Sequence, residues 1–242
     1  MTTLKERLKI MLESYKKHYW NNYWNKTNVY YSARPDWLNG HTISMILKLD
    51  SAKSEAEMKT FFLNATKDAT FKNDDSKALF AFTWVRGNIK YIGDFKKSKD
   101  YELWQTAFET FNDRTGDCED GAILMYKICR ILGVPAWRLK LRTSQVKYNS
   151  KVSGHCYLCY LTIGNNQWSD EWYSLDWCYL PATSLRNFKN KPIRKVEMYN
   201  PPEQYKSTNP LKWSFNEEFE WSQKDWKLDF KRRIVEVDDI EI

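Results

Sequence analysis

The feature that most constrains this chain is a change of hydrophobic period near residue 135. From Cys118 to Leu132, apolar residues recur at helical spacing, and Gly133-Val134-Pro135 supplies a helix stop. Downstream, Trp137–Arg142, His155–Ile163 and Trp172–Tyr179 are rich in aromatic and aliphatic residues with period two, which predicts strands. Gly164-Asn165-Asn166-Gln167 reads as a two-residue hairpin turn between the last two, because Asn tolerates a positive φ. The expected architecture is α+β, with one central helix packed on an antiparallel sheet.

Around this segment the pattern is looser. Residues 3–20 predict an amphipathic helix carrying Leu4, Leu8, Met11, Leu12, Tyr15 and Tyr19. Asn21–Gly40 reads as a loop, and 54–68 and 73–90 predict two further helices, the second capped within Asn73–Ser76. Residues 100–111 fit a short helix or a partly ordered loop. From Pro181 onward the prolines punctuate an irregular tail that ends in a strand-like run over 233–242. The expected division is an N-terminal helical extension (1–70), a core (71–184) and an irregular C-terminal extension (185–242).

Composition narrows the function classes. Twelve Trp, 15 Tyr and 12 Phe in 242 residues supply far more burial capacity than a disordered chain carries. The net charge of +7 is spread among alternating acids and bases, which argues against a nucleic-acid footprint. No stretch approaches the roughly 20 apolar residues of a membrane span, and the charged N-terminus does not look like a signal peptide. Five cysteines (Cys118, Cys129, Cys156, Cys159 and Cys178) on helix- and strand-like patterns predict free thiols in a reducing, cytoplasmic setting.

Three residue types in one order point to chemistry. Cys118 opens the central helix, where free N–H groups and the helix dipole stabilise a thiolate and can hold an oxyanion. Glu119 and Asp120 work against that thiolate, so a nearby cation is required. Of the three histidines, His155 begins a strand, and the two-residue turn would place it directly across from Asp176, a carboxylate able to orient the imidazole. A lone cysteine in this position is more often a small buried residue; the Cys-His-Asp set outweighs that reading. Cys156-x-x-Cys159 does not suggest zinc, since three residues along a strand put the thiols on opposite faces. Nor does it open a helix as a redox motif would. No metal and no cofactor is expected.

At these residues the chain resembles the transglutaminase-like cysteine peptidase superfamily, which shares its core with papain-like enzymes. The resemblance rests on Arg114-Thr-Gly-Asp-Cys-Glu-Asp-Gly-Ala-Ile-Leu, Gly133-Val-Pro-Ala, Gly154-His-Cys-Tyr-Leu and Ser174-Leu-Asp-Trp. Trp84-Val-Arg-Gly-Asn-Ile-Lys-Tyr and Asp100-Tyr-Glu-Leu-Trp-Gln lead into them, so that about 73–180 is covered. Bacterial and bacteriophage members look most similar. The resemblance implies Cys118 as nucleophile, His155 as base and acid, and Asp176 as orienting carboxylate. An oxyanion donor upstream of the cysteine falls on Gln105 or Trp104. Two departures stand out: Cys156 and Cys159 replace the usual aromatic and aliphatic run, and polar Trp168–Glu171 lengthens the connection to Asp176.

The resulting expectation is an amide-directed acyl-transfer enzyme, with hydrolysis of a peptide or isopeptide bond in a protein substrate first. Transglutamination or deamidation of glutamine uses the same acyl-enzyme. A second class of reading is a structural or assembly protein, such as a bacteriophage virion component, that keeps the enzyme fold and binds a protein partner through its aromatic flanks.

Overall fold

The computed structural model describes residues 3–28, 42–97, 103–148, 151–163, 170–178 and 211–222. Among the described residues there are six α-helices, α1 (Leu4–Asn22), α2 (Ala52–Ala65), α3 (Asp74–Asn88), α4 (Asp94–Lys97), α5 (Ala107–Asp113) and α6 (Cys118–Ile131), and two 3-10 helices, Ile43–Lys48 and Ala136–Arg138. The strands are β1 (Asn25–Lys26), β2 (Lys90–Tyr91), β3 (Thr115–Gly116), β4 (Leu139–Tyr148), β5 (Lys151–Thr162), β6 (Glu171–Leu175), β7 (Leu211–Phe215) and β8 (Glu220–Ser222). None of the described helices is long and apolar enough to cross a membrane.

Local sequence explains the helix ends. Thr3 and Glu6 close a capping box on α1, with Glu6 N–H on Thr3 Oγ1 at 3.2 Å and Thr3 N–H on Glu6 Oε2 at 2.7 Å. Thr106 and Glu109 do the same for α5. α6 ends as expected: Gly133 takes φ +87°, and Val134 N–H returns to the Cys129 carbonyl at 2.9 Å.

One six-stranded antiparallel sheet, in the order β1-β8-β7-β4-β5-β6, organises the molecule. Alternation along β5 assigns its residues to two layers. Cys156, Leu158 and Tyr160 join α6, α3 and α2 in the larger core, while Tyr157, Cys159 and Leu161 face Trp20, Tyr23, Trp24, Trp137, Trp172 and Trp221. α6 is buried on nearly every side from Glu119 to Tyr126, as a helix clad by both sheet and helices must be.

Two expectations need correction. The stretch after Pro181 is not wholly irregular: residues 211–222 form the hairpin β7–β8 and place it beside β4. Long-range pairing there overrides a weak local pattern. The register between β5 and β6 differs from the one that the expected turn would set. Leu158 pairs with Leu175 and Thr162 with Glu171, a register shifted by two residues. The loop expected over Asn21–Gly40 and the short helix or loop expected over 100–111 lie in part, and the Gly164–Gln167 turn and the strand-like run over 233–242 wholly, outside the described residues.

Candidate active site

The site is built where α6 begins. The short parallel pair β2–β3, with Lys90 opposite Thr115 and Tyr91 opposite Gly116, aims the chain into Cys118. At Gly116 a Cβ would strike the Asp120 side chain, so only glycine lets the strand pass this close to the first helical turn. Asp120, fully buried, accepts N–H groups from Asp117 at 3.2 Å and from Gln105 at 2.8 Å. These bonds lock the approach of α6 and of the Gln105 segment together.

His155 and Asp176 meet despite the shifted register. A slip of one residue would have moved one of them to the opposite face, whereas a slip of two keeps both on the same face. The side chains then reach each other diagonally, His155 Nε2 to Asp176 Oδ2 at 2.8 Å, with the pair almost wholly buried. Asp176 Oδ1 accepts Cys178 N–H at 3.0 Å, and the His155 ring stacks on Tyr157 at 5.7 Å between centroids.

Trp177 connects this pair to the helix. Its Nε1–H donates to the Cys118 carbonyl at 3.2 Å, and its ring lies where a side chain at position 121 would otherwise be. A glycine inside a helix costs about 1 kcal/mol relative to alanine, so Gly121 was a readable sign of close approach. The partner, Trp177, carried no comparable signal.

The electrostatics at Cys118 favour the thiol. The residue is half-buried, and its Sγ–H donates to Glu119 Oε2 at 3.0 Å. Burial first, then the charges of Glu119 and Asp117, push the thiol well above its ordinary value. Burial likewise raises Glu119 and Asp120 well above the carboxylate range, with the charge of Asp117 adding to it. Asp117 is raised by burial and partly restored by a hydrogen bond from Glu119.

Gln105 is buried beside the first turn of α6, but its side-chain Nε2 donates to Asp113 at 3.3 Å. Trp104 belongs to the core, stacked near Trp213 and Phe215. A feature absent from the sequence reading is the gathering of Asp94, Asp117 and Asp120, whose carboxylate oxygens lie within 4.8 Å of one another. Asp117 Oδ1 is buried without a hydrogen-bond partner among the described residues. Three crowded carboxylates with one unsatisfied oxygen suit a hard divalent cation.

Comparison with known proteins places this arrangement. No curated protein matches the chain in sequence. Among solved structures, calcium-bound LapG of Legionella pneumophila is similar at 18% identity and TM-score 0.50, over 76% of this chain and 99% of that one. A second LapG structure gives 20% identity and TM-score 0.48 over 77% and 94%. A provisionally assigned cysteine protease from Cytophaga hutchinsonii gives 19% and 0.40 over 78% and 55%. The family model described as "Transglutaminase-like superfamily" matches residues 63–177, the span that contains α3, α6, β4, β5, β6 and Cys118, His155, Asp176 and Trp177. Over residues 63–177 the chain is thus similar to the transglutaminase-like superfamily, and its fold is similar to that of LapG.

Proposed function

We propose that this chain is a thiol hydrolase that cleaves an amide bond in a protein or peptide substrate, with Cys118, His155 and Asp176 as its triad. The observation that supports the reading is the buried His155–Asp176 pair, whose chain neighbour Trp177 donates to the Cys118 carbonyl. Asp176 takes Nε2 of the imidazole, which assigns Nδ1 to the thiol. The Cys118 proton moves to Nδ1 as Sγ leaves Glu119 and attacks the carbonyl carbon. The backbone N–H of Cys118, at the open end of α6, receives the developing oxyanion. His155 returns the proton to the departing amine, then draws one from water, whose attack on the thioester releases the acid. Gln105 would serve as a second oxyanion donor only after releasing Asp113.

The resting thiol needs positive charge nearby to ionise. Asp94, Asp117 and Asp120 would hold a divalent cation such as the calcium of the LapG neighbour. When bound, that cation would offset the carboxylate charge beside Cys118.

The test compares protein extracts treated with wild type and with Cys118→Ala, with new N-termini read by mass spectrometry. Wild type should generate new N-termini that Cys118→Ala does not, and His155→Ala should lower their yield by about 10² or more. Glutamine deamidation or lysine–glutamine cross-links in place of new termini would assign the acyl-enzyme to the transglutaminase branch. Identical extracts from wild type and Cys118→Ala would refute an enzyme.

A further inference from the structure

The first four turns of α1 carry apolar side chains that stay largely exposed, only Tyr15 stacking on Tyr19 of the same helix. Leu4 is 74% exposed, Leu8 56%, Met11 67%, Leu12 42% and Tyr15 38%. At 100° per residue these five lie within one sector of the helix. The buried anchors of α1, Lys16 and Trp20, lie in a different sector. The stripe is therefore not the surface by which the helix is fixed to the sheet. Lys5 and Arg7 flank it on either side and Lys9 follows, all exposed and without an ion pair among the described residues. Beside it, a groove of about 390 Å³ is lined by apolar Leu12, Trp137 and Ile163 and by four cations (Lys9, Lys16, Lys72 and Arg138) against two carboxylates (Glu13 and Asp74). The occupant should offer aliphatic groups interleaved with carboxylates.

The chain itself contains such a segment. Residues 233–242 read Arg-Ile-Val-Glu-Val-Asp-Asp-Ile-Glu-Ile, five aliphatic side chains among four acids. The topology delivers it to the right place. β8 pairs with β1 so that Ser222 lies opposite Asn25, three residues beyond the end of α1, and β8 runs toward that end. The dozen residues from Ser222 to Ile234 can span up to roughly 40 Å, and α1 is only about 28 Å long.

We propose that residues 233–242 dock on the apolar stripe of α1, with Glu236, Asp238, Asp239 and Glu241 facing Lys5, Arg7 and Lys9. This surface is separate from the Cys118 site, and the proposal does not depend on the activity assigned there. A second copy of α1 is a poorer occupant, since it would bring the same cations against themselves. A helix so little supported by tertiary contacts is marginal alone, and docking would supply the missing burial.

The test is photo-cross-linking of the full-length chain with p-benzoylphenylalanine in place of Met11. The expected product is a monomer cross-linked within one chain to residues 233–242. Its yield should fall at least about fivefold in Asp238→Lys/Asp239→Lys and in high salt, with the circular dichroism of the variant unchanged. A covalent dimer joined through α1, a cross-link to another segment, or no protein cross-link together with binding to anionic vesicles would each overturn the proposal.

Discussion

Replacing Glu119 with glutamine tests the electrostatic account of the nucleophile directly. The carboxylate accepts from Cys118 Sγ at 3.0 Å and is the first charge, after burial itself, that holds the thiol in its protonated form. Where Glu119 is ionised, a full charge at that distance and an effective dielectric constant of about 20 opposes a thiolate by at most about 5.5 kcal/mol, or about four pKa units, and less where burial keeps Glu119 protonated. The sign is unambiguous: a negative neighbour raises a thiol, so its removal lowers it, and the amide can still hydrogen-bond to sulfur. Each unit of lowering multiplies the thiolate population tenfold, while nucleophilicity falls by about threefold, a net gain of about threefold per unit. The assay is iodoacetamide labelling across pH with peptide mapping of the modified cysteine. Cys129, Cys156 and Cys159 are buried and Cys178 half-buried, so the Cys118 peptide is separable. Glu119→Gln should label about 3-fold to 100-fold faster at about pH 8.5, with its pH midpoint moved down. An unchanged midpoint would refute the claim that Glu119 restrains the nucleophile.

Three further outcomes are expected. Gly121→Ala drives a methyl group into the Trp177 indole; urea unfolding should show a loss of about 1–3 kcal/mol, and an unaltered midpoint would mean that the contact is not constraining. Lys140 is fully enclosed, its Nζ 2.9 Å from the centre of the Trp24 ring and 3.8 Å from that of Trp221, and burial holds its amine well below the ordinary value. The unfolded chain binds a proton there that the folded chain does not, so stability rises with pH up to about 10.4. Lys140→Met should therefore stabilise the protein at pH 7 in urea unfolding. The gain should shrink as pH approaches 10, whereas destabilisation at pH 7 would mean that the tryptophans bind a charged ammonium instead. Calcium at 100 times its dissociation constant should stabilise wild type by about 2.7 kcal/mol in thermal unfolding. It should leave Asp117→Asn unmoved; equal shifts in both proteins would place the ion elsewhere.

The legibility of the sequence followed the range of the interactions. α6 was readable because its start, its periodicity and its Gly133 stop are all local. The same holds for α3, whose Asn73 side chain accepts Ser76 N–H at 3.0 Å as the capping pattern requires. The β5–β6 register was not readable, because it depends on a connection whose length alternation alone does not set. The two faces survived the error only because the shift was even. Asp94 could not have been assigned to the site from sequence, since it lies far upstream and is brought to Asp117 and Asp120 only when β2 pairs with β3. β7 and β8 were invisible for a similar reason: their burial comes from β4 and β1, distant in the chain.

The aromatic flanks acquire a physical role from the same topology. β1 follows α1, β8 comes from the far C-terminal part, and the two pair at one edge of the sheet. Trp20, Trp24 and Trp221 then cover the face opposite α6, with Trp221 Nε1–H on the Asn21 carbonyl at 3.2 Å and Trp20 Nε1–H on Asp170 at 3.1 Å. Lys16 completes the anchor with a 2.7 Å ion pair to Asp170, buried on both sides. Tyr157 belongs to this aromatic layer and carries the His155 ring on its own. The imidazole is thus fixed from one side by Asp176 and from the other by a layer that the two flanks close. Burial of those tryptophans does more than fill volume: it limits the rotation of His155, on which the proposed proton transfer depends.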